Sequence, residues 1–280
     1  MKISRRIALS YVRTKFKLLS TISKKKAAAS AFHLFCTPQS RNQKPLPPLF
    51  KEAETLQFKL DGLVIRGWRW NHPADKKFLL LHGFESSVIN FDKYIRPAIR
   101  KGYEVLAFDA PAHGRSEGKS INAPLYKKMI LAINKHYGPI HAFLGHSFGG
   151  LAASLALEEL KAGPETRLVL IAPATETTTA IEFFFRFLRL DPAIRPDFDK
   201  EIIRKGSHPP SWYSIRRALA HFKTNILWVH DEQDEVTPIT DVYPIQKENH
   251  SNIQFVFTKG LGHRRIYRDA QVTKRIADFL

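Results

Sequence analysis

The five residues Gly145-His146-Ser147-Phe148-Gly149 constrain this chain more than any other stretch. Ahead of them Ile140 to Leu144 is an apolar run of strand length, and behind them the Ala- and Leu-rich run Leu151 to Leu160 has helical character. The pentapeptide therefore fills a strand-to-helix turn. In that setting the serine takes a strained backbone conformation that lifts its hydroxyl clear of the strand. The glycines are required because a Cβ at either position would collide with neighbouring backbone. The helix that follows points its positive end and free N–H groups at the same spot, which favours negative charge beside the hydroxyl. A turn of this kind is a nucleophile elbow. The bare spacing recurs by chance in many chains, but set between a strand and a helix it is a far stronger signal.

A chain of 280 residues can bury one large core, and a single α/β domain with a small insertion is expected. No run reaches the apolar length of a membrane span, and the N-terminus lacks the unbroken apolar core of a secretory signal. Cys36, the single cysteine, cannot form an internal disulfide and reads as a small packed residue. Its solitude is consistent with a reducing compartment, so a cytoplasmic protein is expected. The net charge of +18 suggests a nucleic-acid partner until its location is considered. Residues 1–48 hold eleven Lys or Arg and no Asp or Glu, leaving 33 basic against 26 acidic residues, or +7, on the remaining 232. The excess marks a basic N-terminal arm and argues against nucleic acid as the partner of the body.

Within residues 1–50, read as a basic helical extension, Ile3, Ile7, Tyr11, Leu18 and Ile22 fall at helical spacing, and Ala27 to Phe35 follows as a second helix. Such a helix can fold back on the body with its lysines in water, or lie on an anionic membrane surface. The second reading leaves contact with the inner membrane surface open. Pro45-Leu46-Pro47-Pro48 ends the extension, and residues 51–280 form the body. Glu54 to Trp70 is a β-hairpin turning at Asp61-Gly62. Apolar strands (Phe78–Leu81, Glu104–Phe108, the run before Ser147, Leu168–Ile171, Ile226–His230, Ile253–Phe257) then alternate with helices near Phe91–Arg100, Leu125–His136, Leu151–Leu160 and Tyr267–Leu280, the signature of a doubly wound parallel sheet. The alternation breaks at residues 174–223, which hold Phe183-Phe184-Phe185, Phe187 and Trp212-Tyr213 among four prolines and read as a helical insertion.

On five motifs in order, the body resembles the α/β-hydrolase family over nearly all of residues 55–280: His82-Gly83-Phe84, Asp109-Ala110-Pro111-Ala112-His113-Gly114-Arg115-Ser116, the elbow, Asp231-Glu232-Gln233-Asp234-Glu235-Val236-Thr237-Pro238 and Gly262-His263. The resemblance implies an α/β fold with a mostly parallel eight-stranded sheet, helices on both faces and a small cap inserted after the sixth strand. It also implies a serine hydrolase that needs neither cofactor nor metal and acts on a small-molecule ester.

Serine is a poor nucleophile at neutral pH and needs a base within hydrogen-bond reach and a carboxylate to orient that base. Ser147 is the nucleophile. His263, after the last strand in a Gly-Leu-Gly-His loop, is the best placed of twelve histidines, and the resemblance assigns His82, His113 and His146 to turn packing. Asp231, Glu232, Asp234 and Glu235 all follow one strand; the resemblance places the acid at Asp234, with Asp231 as the fallback. The oxyanion N–H groups expected are those of Phe148, directly after the nucleophile, and, by resemblance, Phe84. Glu85 reads as a solvent-facing carboxylate, and Asp109 and Gly114 as shapers of their turn. The aromatic insertion can line an acyl pocket, seat the cap, or do both. Acyl transfer to an acceptor other than water, peptidase activity and a non-catalytic module that works through the basic arm are the competing readings.

Overall fold

Eight strands and eleven helices are formed in the computed structural model, which describes residues 3–280, with side chains from Ile7 onward. Two helices come first, α1 (Ile3–Ile22) and α2 (Lys24–Phe35), separated by Ser23, whose hydroxyl caps α2 by accepting from the Lys26 N–H. The strands are β1 (Glu54–Leu60), β2 (Leu63–Trp70), β3 (Lys76–Leu81), β4 (Tyr103–Phe108), β5 (Ala142–His146), β6 (Arg167–Ile171), β7 (Asn225–Asp231) and β8 (Ile253–Thr258). Among them run α3 (Ile95–Arg100), α4 (Ala123–Tyr137), α5 (Phe148–Leu160), α6 (Thr177–Leu188), α7 (Arg195–Gly206), α8 (Ile215–Ala218) and α9 (Tyr243–Lys247), and after β8 come α10 (Gly262–Arg265) and α11 (Ala270–Phe279).

The sheet has the order β1-β2-β4-β3-β5-β6-β7-β8. β2 is antiparallel to both neighbours, and every pairing from β4–β3 onward is parallel. Asp61 and Gly62, both at positive φ, close the β1–β2 hairpin with the twist a two-residue turn requires. The central strands are buried on both faces, which is why they read as unbroken apolar runs. Ile95 and Ala98 of α3 and Val272 and Ile276 of α11 share one core with Phe78, Leu80, Val105, Leu144, Val169 and Val229. Alternation sends Leu79, Leu106, Phe143 and Leu168 to the other face, also buried, where α5 packs. One consequence matters for function: β3 to β8 deliver their carboxyl ends, and the loops that follow, to one edge.

The chain divides into two compact units, and the division differs from the linear one read from the sequence. One unit is the N-terminal segment through Thr37 together with Glu176–Tyr213, so the arm is not a free-standing extension of residues 1–50. Its cause is aromatic packing. Phe35 meets Phe184 edge-on at 5.1 Å, Phe185 meets Phe198 at 5.2 Å and Phe32 meets Phe198 at 5.8 Å. Ala27, Ala28 and Ala31 present no bulk, which lets α2 lie close against α7. Cys36 is packed in this unit, and burial pushes its thiol up to about 12.

The other unit is Pro38–Thr175 with Ser214–Leu280. Residues 38–50, expected to belong to the arm, are strapped to the body: Gln39 N–H donates to Glu85 Oε1 (2.7 Å), Arg41 to the Ser116 carbonyl (2.9 Å) and Trp70 Nε1 to the Leu49 carbonyl (2.9 Å). Phe50 stands edge-on to Trp68 and Trp70. Three helix expectations shift as well. Phe91–Arg100 is a tight turn, Val88–Tyr94, kinked at Phe91 and followed by α3. The elbow helix starts at Phe148, and the last helix starts at Ala270, where the Asp269 carboxylate accepts from two N–H groups. In α1 Phe16 is buried, while Ile7, Tyr11, Leu18 and Ile22, which the periodicity selected together with Ile3, are 60–78% exposed; the Ile3 side chain lies outside the described residues.

Candidate active site

Ser147 sits between β5 and α5 at φ 52° and ψ −119°, a conformation that costs a non-glycine residue free energy. The surroundings hold it there. Its N–H donates to the Ile171 carbonyl, and its carbonyl accepts from Ala174 and Gly150. A Cβ at residue 145 would lie 2.6 Å from Gly150 Cα, and one at residue 149 would lie 2.7 Å from the Leu81 and His82 carbonyls. Both flanking glycines are therefore demanded by close backbone approach. The Ser147 hydroxyl ends up at the carboxyl edge of the sheet.

His263 reaches it from the other side. Its Nε2 is 3.1 Å from Ser147 Oγ and its Nδ1 is 2.8 Å from Asp234 Oδ2. An ionised carboxylate can only accept, so Nδ1 carries the proton and Nε2 is left to accept from the serine. The expected loop position of His263 is corrected to α10, a single helical turn; Gly260 and Gly262, both at positive φ, bend the chain into it.

Asp234 Oδ1 accepts from the Val236 and Thr237 N–H groups at 2.8 and 3.0 Å, and Oδ2 accepts from the Thr237 hydroxyl at 2.9 Å. Burial alone would raise this carboxyl, but the hydrogen bond from His263 and those from the backbone outweigh it and hold it below the ordinary carboxylate value. Thr237 was missed by the sequence reading; its hydroxyl also lies 3.1 Å from His263 Nδ1. The signal was present, since a Thr three residues after an Asp commonly closes a turn on it. His230 secures the same turn by donating to the Thr237 carbonyl at 2.8 Å.

Asp231, the fallback acid, is turned elsewhere. Its carboxylate accepts from Thr258 Oγ1, the Leu261 N–H and the Gln233 N–H at 2.8–3.0 Å, so it clasps the loop that carries His263 without touching the ring. It is buried.

The oxyanion candidates flank the serine. Phe148 is the first residue of α5, where no helical carbonyl can accept its N–H. The Gly83-Phe84 turn crosses the elbow so closely that a Cβ on residue 83 would lie 3.0 Å from Ser147 Cβ, and the Phe84 and Phe148 rings meet edge-on at 6.2 Å.

The remaining motif residues build the frame. Asp109 accepts from Ser87 Oγ, the Val88 N–H and the Arg115 N–H, and a Cβ on residue 114 would strike its carboxylate at 2.0 Å. His82 Nε2 accepts from Ala110 N–H and His113 Nε2 from Glu85 N–H, both at 2.9 Å, which clasps the two turns together. Glu85 is not simply solvent-facing, because its carboxylate holds Gln39. His146 does more than pack: its Nε2 donates to the His263 carbonyl at 3.0 Å and its ring lies 4.8 Å from the His263 ring. Burial lowers His146 to about 3 and keeps it neutral.

A sequence model described as the alpha/beta hydrolase family matches residues 78–272. The chain is 33% identical over 111 residues to the uncharacterized hydrolase YugF of Bacillus subtilis, a match spanning 37% of this chain and 40% of that protein. It spans about two fifths of the length of the curated relatives it matches. Among solved structures it is similar to the Pyrococcus furiosus esterase Pf2001 (TM-score 0.64, 22% identity, 87% of this chain and 95% of that one). It is also similar to Est1E of Butyrivibrio proteoclasticus, solved with ferulic acid bound (TM-score 0.64, 20% identity, 80% and 97%). At these identities the structural likeness bears on the fold alone.

Proposed function

The chain belongs to the α/β-hydrolase family, and from that premise we propose that it is a serine hydrolase that cleaves a carboxylic ester, or a related thioester or small amide, through an acyl-enzyme on Ser147. The observation that carries this reading is the unbroken chain of contacts from Ser147 Oγ through the His263 ring to Asp234.

In the proposed reaction His263 Nε2 takes the Ser147 proton as Oγ attacks the carbonyl carbon, and Asp234 stabilises the imidazolium that forms. The carbonyl π electrons move to oxygen, and the N–H groups of Phe84 and Phe148 stabilise that oxyanion; each such donor is worth roughly 10²–10³ in rate. Collapse of the intermediate expels the alkoxide, which takes the proton from Nε2 and leaves an acyl ester on Oγ. Water then repeats the sequence: it gives a proton to Nε2, attacks the acyl carbon and releases the acid, and Oγ recovers the proton. Thr237 steadies the Asp234 oxygen that faces the His263 ring, and the His146 bond to the His263 carbonyl fixes the backbone beneath the base.

A fluorophosphonate probe tests the assignment. It should label Ser147 in the folded protein and leave Ser147→Ala unlabelled; no labelling, or equal labelling of the two, would sink the reading. Turnover of p-nitrophenyl esters of graded chain length then reads out the acyl preference.

A further inference from the structure

The basic helix α1 has two apolar faces, and among the described residues one of them is packed and the other exposed. Phe16 is buried, Val12 and Leu19 are partly buried beside it, and Arg13 Nη2 donates to the Phe187 carbonyl of α6. That side packs within its own unit. Roughly a third of a turn away stands the second face. Ile7, Tyr11, Leu18 and Ile22 fall within an arc of about 60° at 3.6 residues per turn. They are 65%, 70%, 60% and 78% exposed. Four large apolar side chains in one exposed row mark a surface that binds something.

The charge around the row identifies the partner. Lys15 and Lys17 border it, and Lys24, Lys25 and Lys26 continue beyond its C-terminal end, all exposed. No Asp or Glu occurs before Glu52. A second copy of α1 laid against the row would set these cations against each other with no acid on either helix to pair them. A nucleic acid would meet the lysines but would leave the apolar row in water. An anionic lipid surface satisfies both sets: the acyl boundary takes Ile7, Tyr11, Leu18 and Ile22, and the headgroups take the lysines. Among the described residues no helix is long and apolar enough to cross a membrane, so α1 would lie along the interface.

We propose that α1 is an interfacial helix that docks this protein on anionic membrane surfaces through the row Ile7, Tyr11, Leu18 and Ile22 and the flanking lysines. Docking is independent of the reaction at Ser147.

The test is sedimentation of the full chain with vesicles of phosphatidylcholine alone or mixed with phosphatidylglycerol. Wild type should partition onto the mixed vesicles at least about tenfold more strongly, and salt should weaken that binding. Leu18→Ser combined with Ile22→Ser should lower the partition onto mixed vesicles by at least about tenfold, because burial of apolar side chains is lost. Both positions are exposed, so circular dichroism should match wild type. Replacing Lys24, Lys25 and Lys26 with Gln should reduce the preference for anionic lipid. Three outcomes overturn the proposal: no preference of wild type for the mixed vesicles, a serine double variant that binds them as wild type does, or a dimer in sedimentation equilibrium that the double variant dissolves.

Discussion

Two pairs of loops stand at the carboxyl ends of the parallel strands, and they use the same residue types to opposite ends. Where His82–Ser87 meets Asp109–Ser116, the imidazoles face main chain: His82 and His113 each accept one peptide N–H at Nε2 and lie within hydrogen-bond distance of a carbonyl at Nδ1. Where residues 231–237 meet residues 258–263, the imidazole faces a carboxylate on one side and a hydroxyl on the other. The first arrangement has no place for a second ring proton, because protonating Nε2 would aim one N–H at another. The second arrangement can accept it, because Asp234 stabilises the positive charge. A histidine is confined to clasping, or is free to act as a base, according to whether its partners tolerate the imidazolium.

The sharpest way to break that contrast is to remove one histidine from each pair. His263→Ala should lower kcat/KM for ester hydrolysis by about 10⁴–10⁶-fold while urea unfolding stays close to wild type. His113→Ala should lower the unfolding midpoint and spare most of the activity. If His113→Ala proved as inactive as His263→Ala while remaining folded, the distinction between the two pairs would fail.

A second, smaller effect follows from acid. Burial lowers His82 to about 4 and His113 and His146 to about 3, from an ordinary value of 6.5. The unfolded chain takes up protons at these three rings below pH 6.5, while the folded chain refuses them until about pH 4 to 3. Their contribution to stability is therefore full above pH 6.5 and is lost as pH falls through that window. Asp109, which burial raises, works in the opposite sense, favouring the fold at low pH and losing that contribution as pH rises through its folded value. Urea midpoints measured from pH 7 down to pH 4 should fall steadily; a flat profile would mean that the clasps tolerate charge.

The smallest effect refines the second pair. Thr237→Val removes the hydroxyl that steadies Asp234 and should cost about tenfold in kcat, the scale of one hydrogen bond to a charged group. KM for the same ester should change little, because Thr237 supports the carboxylate and not the substrate. An unchanged kcat would show that the two backbone N–H groups on Asp234 Oδ1 are enough to orient it.

Much of this was legible beforehand, for identifiable reasons. The elbow could be read because close backbone approach admits only glycine at 145 and 149, and that demand is written locally. The hairpin turn at Asp61-Gly62 and the apolar central strands are equally local signals. Asp231 and Asp234 could not be told apart by chemistry, because both stand at the carboxyl end of β7 and only the fold decides which carboxylate meets the ring and which meets Thr258 Oγ1 and the Leu261 N–H. Thr237, His146 and Glu85 were underrated for the same reason, since their partners lie 26 to 117 residues away or in another turn.

The arm shows the limit most plainly. Helical periodicity in residues 3–22 was visible from spacing alone, because it follows from 3.6 residues per turn. Which of its two apolar faces is covered depends on α2 and on α6, where the Phe187 carbonyl, 174 residues downstream, accepts from Arg13. The sequence by itself determined the elements, their order, the strained serine and the acid, base and nucleophile types available. Only the tertiary structure decided which carboxylate meets the His263 ring, where the arm ends and which apolar row stays in water, because each is a contact between segments that one-dimensional spacing does not relate.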